Sequence, residues 1–295
     1  VTRMRADLLL LLVAFIWGTA FVAQKSANEH MGPVSFVGLR FLLSFIAVAP
    51  LALREHCRKY RPSLSKGDLA LAGLIGFFLF TGAVLQQIGL VSTSATNGGF
   101  LTALYVIFVP FVVWVITGAP PKFVVLVAGA VSIAGAWLLT EKGQFQRWSG
   151  GDTLVLVADL AWAGAISLIP VFLRRVERPF FLVFAQHGVV AFCGLIAGLS
   201  FESFSTEGVT SALPALLYAG LCSGGIAYTL QILAQKYTPP AEAALILSLE
   251  SVFAALSGAA LLSERLTPSA MLGCALIFLG VILVEVGPIR KAVPD

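Results

Sequence analysis

The chain has 295 residues, of which 58% are hydrophobic and 12% charged, with a formal net charge of +4 and a mean hydropathy of +0.94. So few charges exclude an ordinary soluble domain, in which about a quarter of residues are charged. The Lys and Arg residues are scattered over short connections with no aromatic-interleaved patch, which excludes a nucleic-acid-binding surface.

Ten mostly apolar stretches follow one another, each about 20 residues long and so able to cross a hydrocarbon layer of roughly 30 Å as a helix. They run Ala6 to Ser26, Pro33 to Arg54, Asp68 to Leu90, Ala95 to Thr117, Pro121 to Thr140, Asp152 to Arg174, Pro179 to Ser200, Ser211 to Leu233, Ala241 to Leu262 and Pro268 to Val286. The pattern predicts an all-α membrane protein of ten transmembrane helices, with the lipid bilayer as its solvent. Arg3 and Arg5 precede the first apolar run, but nine further spans and no clear small-x-small cleavage site point to an uncleaved helix rather than a signal peptide. With both termini placed in the cytoplasm, only Lys25, Lys142, Arg147 and Arg265 fall outside and Arg40 lies within a span. The rest of the 19 Lys and Arg residues fall inside, the bias that sets orientation in membranes. Cys57 lies in a connection and Cys193, Cys222 and Cys274 within spans, so the four cysteines read as packing residues and not as a disulfide framework.

Sliding the chain against itself by about 145 residues aligns Ile16-Trp17-Gly18 with Ala161-Trp162-Ala163. Pro33 and Pro179 open the second and seventh spans, and seven residues beyond them stand Arg40 and Gln186. Gln87 falls opposite Gln231 at an offset of 144, and Pro121 and Pro268 open the fifth and tenth spans, with Gly129 and Gly135 in one and Gly273 and Gly280 in the other. The constant order predicts two homologous halves, residues 6–140 and 152–286. Five crossings is an odd number, so the second half enters from the opposite side, an inverted repeat of the kind recurrent in secondary transporters.

Polar groups at membrane depth are costly and mark candidate sites. Trp17 and Trp162 lie mid-span, away from the interfacial belts that tryptophan prefers, either walling a cavity or bonding neighbouring helices. Tyr105 is mid-span on a face with Gly98, Leu101 and Thr102, and Tyr228 stands three residues before Gln231. Asp159 shares a helix face with Trp162, and its repeat position is Ala14; a substrate ammonium, a proton or a helix-start carboxylate would each explain it. Glu250, between Ser248 and Ser251, reads as a cavity acid or as an interhelical anchor. Arg40, seven residues from its helix end, reads as a snorkelling anchor, with a carboxylate, a substrate's included, as the alternative partner. Gly224-Gly225 and Asn97-Gly98-Gly99 can loosen helices or simply pack. His187 has no companion ligands and Glu55-His56-Cys57 is a poor chelate, so neither a metal nor a cofactor is expected. There is no phosphate-binding loop and no soluble region for a catalytic domain, which predicts a transporter driven by a gradient and not an enzyme.

The basic N-terminus before a helix with mid-span Trp-Gly, the stretch Pro33-Val34-Ser35-Phe36-Val37-Gly38-Leu39-Arg40-Phe41, and the motif from Leu261 to Thr267, LLSERLT, before a Gly-spaced last helix resemble the EamA domains of the drug/metabolite transporter superfamily. The first half departs from that motif, with Thr117-Gly118-Ala119-Pro120-Pro121 in its place. Within the superfamily the pattern is most similar to YddG-type exporters of aromatic amino acids. That resemblance implies a bacterial inner-membrane exporter of amino acids working by alternating access. Trp17, Tyr105, Trp162 and Tyr228 would meet the apolar part of a small-molecule substrate, and Gln87, Asp159, Gln231 and Glu250 its charged ends or protons. The alternative is a proton-coupled exporter of drugs or other small metabolites using Glu250 or Asp159.

Overall fold

The computed structural model describes residues 2–57, 63–139, 149–261 and 267–286, and every regular element among them is helical. Residues 262–266 of the LLSERLT motif and the cations at 58, 59, 61, 142, 147, 265, 290 and 291 lie outside the described residues. The first half comprises α1 (Arg3–Ala27), α2 (Pro33–His56), α3 (Lys66–Ser92), α4 (Ala95–Thr102), α5 (Tyr105–Thr117) and α6 (Phe123–Leu139). The second comprises α7 (Gly150–Arg175), α8 (Pro179–Phe201), the short α9 (Thr206–Ser211) and α10 (Leu213–Leu217), a π-helical segment (Tyr218–Ala227), α11 (Tyr228–Ala234), α12 (Pro240–Leu247), α13 (Glu250–Leu261) and α14 (Pro268–Val286). Among the described residues eight stretches are long and apolar enough to cross a membrane, and Phe123–Leu138 and Pro268–Leu283 are shorter apolar helices.

Local chemistry sets the boundaries. Proline occupies the first turn of α2, α8 and α12, where its missing N–H costs nothing. Ser65 with Asp68 and Ser149 with Asp152 form capping boxes at the starts of α3 and α7. Gly118, at φ 72°, ends α5 in the left-handed conformation.

The fourth and ninth stretches are not continuous helices. Each is broken, after Thr102 and after Leu247, at points 145 residues apart. The eighth passes through the π segment that contains Gly220, Gly224 and Gly225, a wide-turn geometry concentrated at functional sites.

Repeat-related helices pack against each other antiparallel. On α2 and α8, a Cβ on Gly38 would meet the Gly194 backbone at 2.8 Å and one on Gly188 would meet Phe45 at 3.0 Å. On α6 and α14, Gly135 abuts Gly273 and Ile277 while Gly280 abuts Ser132 and Ala128. Small residues let these backbones approach closely in lipid, where dispersion and not water exclusion holds helices together.

The α2–α8 pair is also bolted at both ends. Glu202 accepts hydrogen bonds from the backbone N–H groups of Val34 (2.9 Å) and Ser35 (2.8 Å), and Glu55 accepts one from Phe181 N–H (2.8 Å). The two acids are 147 residues apart, and each neutralises the N-terminus of the other half's helix. Val115, Phe123 and Phe201 are among many large apolar side chains that face outward, as a lipid-exposed surface requires.

Candidate functional site

The two halves enclose a small central cavity of about 40 Å³, room for a few water molecules in this conformation. Its wall pairs the halves position by position: Trp17 with Trp162, Phe21 with Ile166, Gln24 with Ile169, Gln86 with Gln231, and Tyr105 with Glu250, each 145 residues apart. Arg40, Leu79, Thr102, Ala165, Gln186, Ser223 and Tyr228 complete it. Tyr105 and Glu250 are the first residues of α5 and α13, so the two helix breaks deliver them to equivalent places on the wall.

The two tryptophans are held by different partners. Trp162 Nε1 donates to Gln86 Oε1 (3.1 Å), and Gln86 Nε2 donates on to Gln24 Oε1 (3.3 Å). Trp17 Nε1 donates instead to the Ser223 carbonyl in the π segment (3.2 Å), which leaves the Oε1 of Gln231, the repeat mate of Gln86, without a partner. Trp17 also lies against Tyr228, ring centroids 4.8 Å apart.

Of the eight residues singled out from the sequence, Trp17, Tyr105, Trp162, Tyr228, Gln231 and Glu250 line the cavity. Gln87 and Asp159 do not. Gln87 Nε2 donates to the Gln24 carbonyl (3.0 Å) and to Asn28 Oδ1 (2.8 Å), and Asn28 Nδ2 returns a bond to the Gln87 carbonyl (3.2 Å), a clasp between α1 and α3. Its neighbour Gln86 takes the place on the wall, and a uniform offset of 145 from Gln231 was the available signal for it. Asp159 is 0% exposed, and neither of its carboxyl oxygens has a hydrogen-bond partner. It sits one turn before Trp162, behind the wall and within electrostatic reach of Glu250 and Tyr105. The Glu250 carboxyl and the Tyr105 hydroxyl are near enough to interact, although neither Glu250 Oε1 nor the hydroxyl forms a hydrogen bond of ordinary geometry.

Arg40 corrects the snorkelling expectation. It is 5% exposed and points into the cavity, because α2 is clamped between α8 and the π segment, where Ser44 Oγ donates to the Gly220 carbonyl. Its guanidinium lies 5.5 Å from the Phe36 ring and 5.1 Å from the Phe41 ring, and Nε has no hydrogen-bond partner. Among the described residues no carboxylate pairs with it. Cation–π contacts return about 0.5–2 kcal/mol each, against several kcal/mol for burying an unpaired charge. Gln186, 1% exposed, brings a second unpartnered donor, its Nε2, to the same wall. The cavity thus holds a cation and a carboxyl that do not neutralise each other, joined by an aromatic wall. No cluster of His, Cys, Asp and Glu fit for a metal occurs among the described residues.

The profile of the EamA-like transporter family matches twice, over residues 4–141 and 149–286. An uncharacterized transporter of Archaeoglobus fulgidus is 34% identical over 97% of this chain and 87% of its own. The S-adenosylmethionine/S-adenosylhomocysteine transporter of Chlamydia trachomatis serovar D is 36% identical over 98 residues, 32% of this chain and 29% of that one. A solved crystal structure superposes with a TM-score of 0.76 over 99% of this chain and 100% of that one, at 16% identity, which speaks for the fold. The chain is a multi-pass membrane transporter, not an enzyme, and it belongs to the EamA-like transporter family.

Proposed function

We propose that this protein exports amino acids with aromatic or other apolar side chains across a bacterial inner membrane by alternating access. In this reading the chain crosses ten times with both termini in the cytoplasm. Phe123–Leu138 and Pro268–Leu283 are the fifth and tenth crossings, and residues 6–140 and 152–286 are inverted halves. The antiparallel packing of α2 on α8 and of α6 on α14 supports the inversion, and exchange of the halves' conformations then opens the cavity to each side in turn.

The observation that carries the substrate assignment is the aromatic-walled cavity whose ionisable groups are left unpaired. Trp17, Trp162, Tyr105 and Tyr228 take the apolar body, Glu250 and Gln231 the polar head. Asp159 acts from behind the wall, and Gln87 fixes α1 on α3. Aromatic contacts worth about 0.5–1.5 kcal/mol each fall short of the roughly 8 kcal/mol of micromolar binding. Weak affinity suits an exporter that relieves high internal concentrations.

A second reading follows from the likeness of 98 residues to the chlamydial transporter: the cargo is a larger molecule such as S-adenosylmethionine, which joins an aromatic base to an amino-acid end. Counterflow in proteoliposomes with the twenty amino acids and S-adenosylmethionine tests both. Exchange of aromatic amino acids is the expected result, exchange of S-adenosylmethionine alone selects the second reading, and exchange of none refutes both.

A further inference from the structure

We infer that Arg40 and Gln186 form a carboxylate-binding subsite in the central cavity, which makes the cargo an α-carboxylate and fixes its direction in the site. The inference deepens the proposed function and rests on it for the ammonium end alone.

Both side chains are nine-tenths or more buried, line the same cavity and carry donor nitrogens with no partner, Arg40 Nε and Gln186 Nε2. They occupy equivalent places in the two halves, on α2 and α8, which pack antiparallel. Two donors from opposite halves therefore serve one cavity. The faces of Phe36 and Phe41 attend the guanidinium, Tyr228 and His187 lie within its electrostatic reach, and Phe41 continues through Tyr228 (5.8 Å) to Trp17 (4.8 Å). A planar fork of donors without an anion is matched by a carboxylate, which accepts bidentate bonds from arginine. The ring chain leads from that fork to the wall where the apolar body would lie. Glu250 is the only carboxyl among the described residues of that wall and offers an acceptor to the ammonium end of a zwitterion whose carboxylate sits in the fork.

Binding of four matched probes to the purified protein tests the subsite: L-phenylalanine, its methyl ester, phenethylamine and 3-phenylpropanoate. The wild type is expected to bind L-phenylalanine and 3-phenylpropanoate. R40Q should weaken both by about 10- to 100-fold, the loss of a hydrogen bond to a charged group, while leaving phenethylamine and the ester within about twofold. R40K, which keeps charge without the fork, and Q186L should fall between. If R40Q does not fold, the carboxylate-over-amine preference must still fall in R40K and Q186L.

Equal loss for all four probes, or none for the carboxylates, overturns the subsite, as does a wild type that binds no carboxylate probe. Arg40-dependent binding of 3-phenylpropanoate without binding of L-phenylalanine upholds the subsite and removes the amino-acid reading. Binding of L-phenylalanine indifferent to R40Q does the reverse.

Discussion

The neighbouring glutamines of α3 give the sharpest separation of function from framework. In Gln86→Leu the Trp162 indole N–H loses its acceptor inside the bundle, at a cost of about 1–3 kcal/mol for a buried donor left unmade. If about 1.4 kcal/mol of this appears as misplacement of the ring, apparent affinity falls about tenfold. In Gln87→Leu two bonds, of 3.0 and 2.8 Å, are lost away from the cavity. Net values near 1 kcal/mol each put the loss at about 2 kcal/mol of stability. Gln87→Leu should therefore melt several degrees lower yet transport with unchanged KM. Gln86→Leu should raise KM and shift tryptophan emission. Counterflow KM for the fastest amino acid, with emission spectra and melting curves on the same preparations, decides the matter. A Gln87→Leu protein that is folded but loses affinity as much as Gln86→Leu would refute the assignment of the wall.

A Cβ at Gly82 would stand 3.0 Å from the Trp162 ring, so Gly82→Leu should drive the indole into the cavity and abolish transport while Gly73→Leu, with open space around it, should be silent; uptake assays compare them. Asp159→Asn should raise thermal stability by about 1 kcal/mol, because a neutral amide replaces a buried, unpartnered carboxyl, and should lower the transport rate; a destabilised variant would mean that the acid is an anchor. Glu202→Ala and Glu55→Ala each remove a helix cap, so each should cost about 0.5–2 kcal/mol. The two losses should add in the double variant, since the caps lie at opposite ends of the pair, and melting temperatures in detergent measure this.

Hydropathy and composition are sums over stretches of chain, so the sequence by itself determined the membrane environment and the helical class, and it named most of the aromatic residues that line the cavity. Trp17, Trp162, Tyr105 and Glu250 were legible because a bulky or ionisable group at mid-span needs a reason wherever its helix points. Facing is a different quantity. Adjacent residues on a helix point about 100° apart, so the choice between Gln86 and Gln87 depended on the rotation that the Gly82 approach to Trp162 and the Asn28 clasp impose on α3. Arg40 was misplaced for the same reason: distance from a helix end allows snorkelling, but the clamp of α8 and the π segment turns the side chain inward. The breaks after Thr102 and Leu247, and the burial of Asp159 behind the wall rather than on it, likewise arise only when the two halves are packed together. Composition selects the solvent, and close packing between the helices selects which side chains line the cavity.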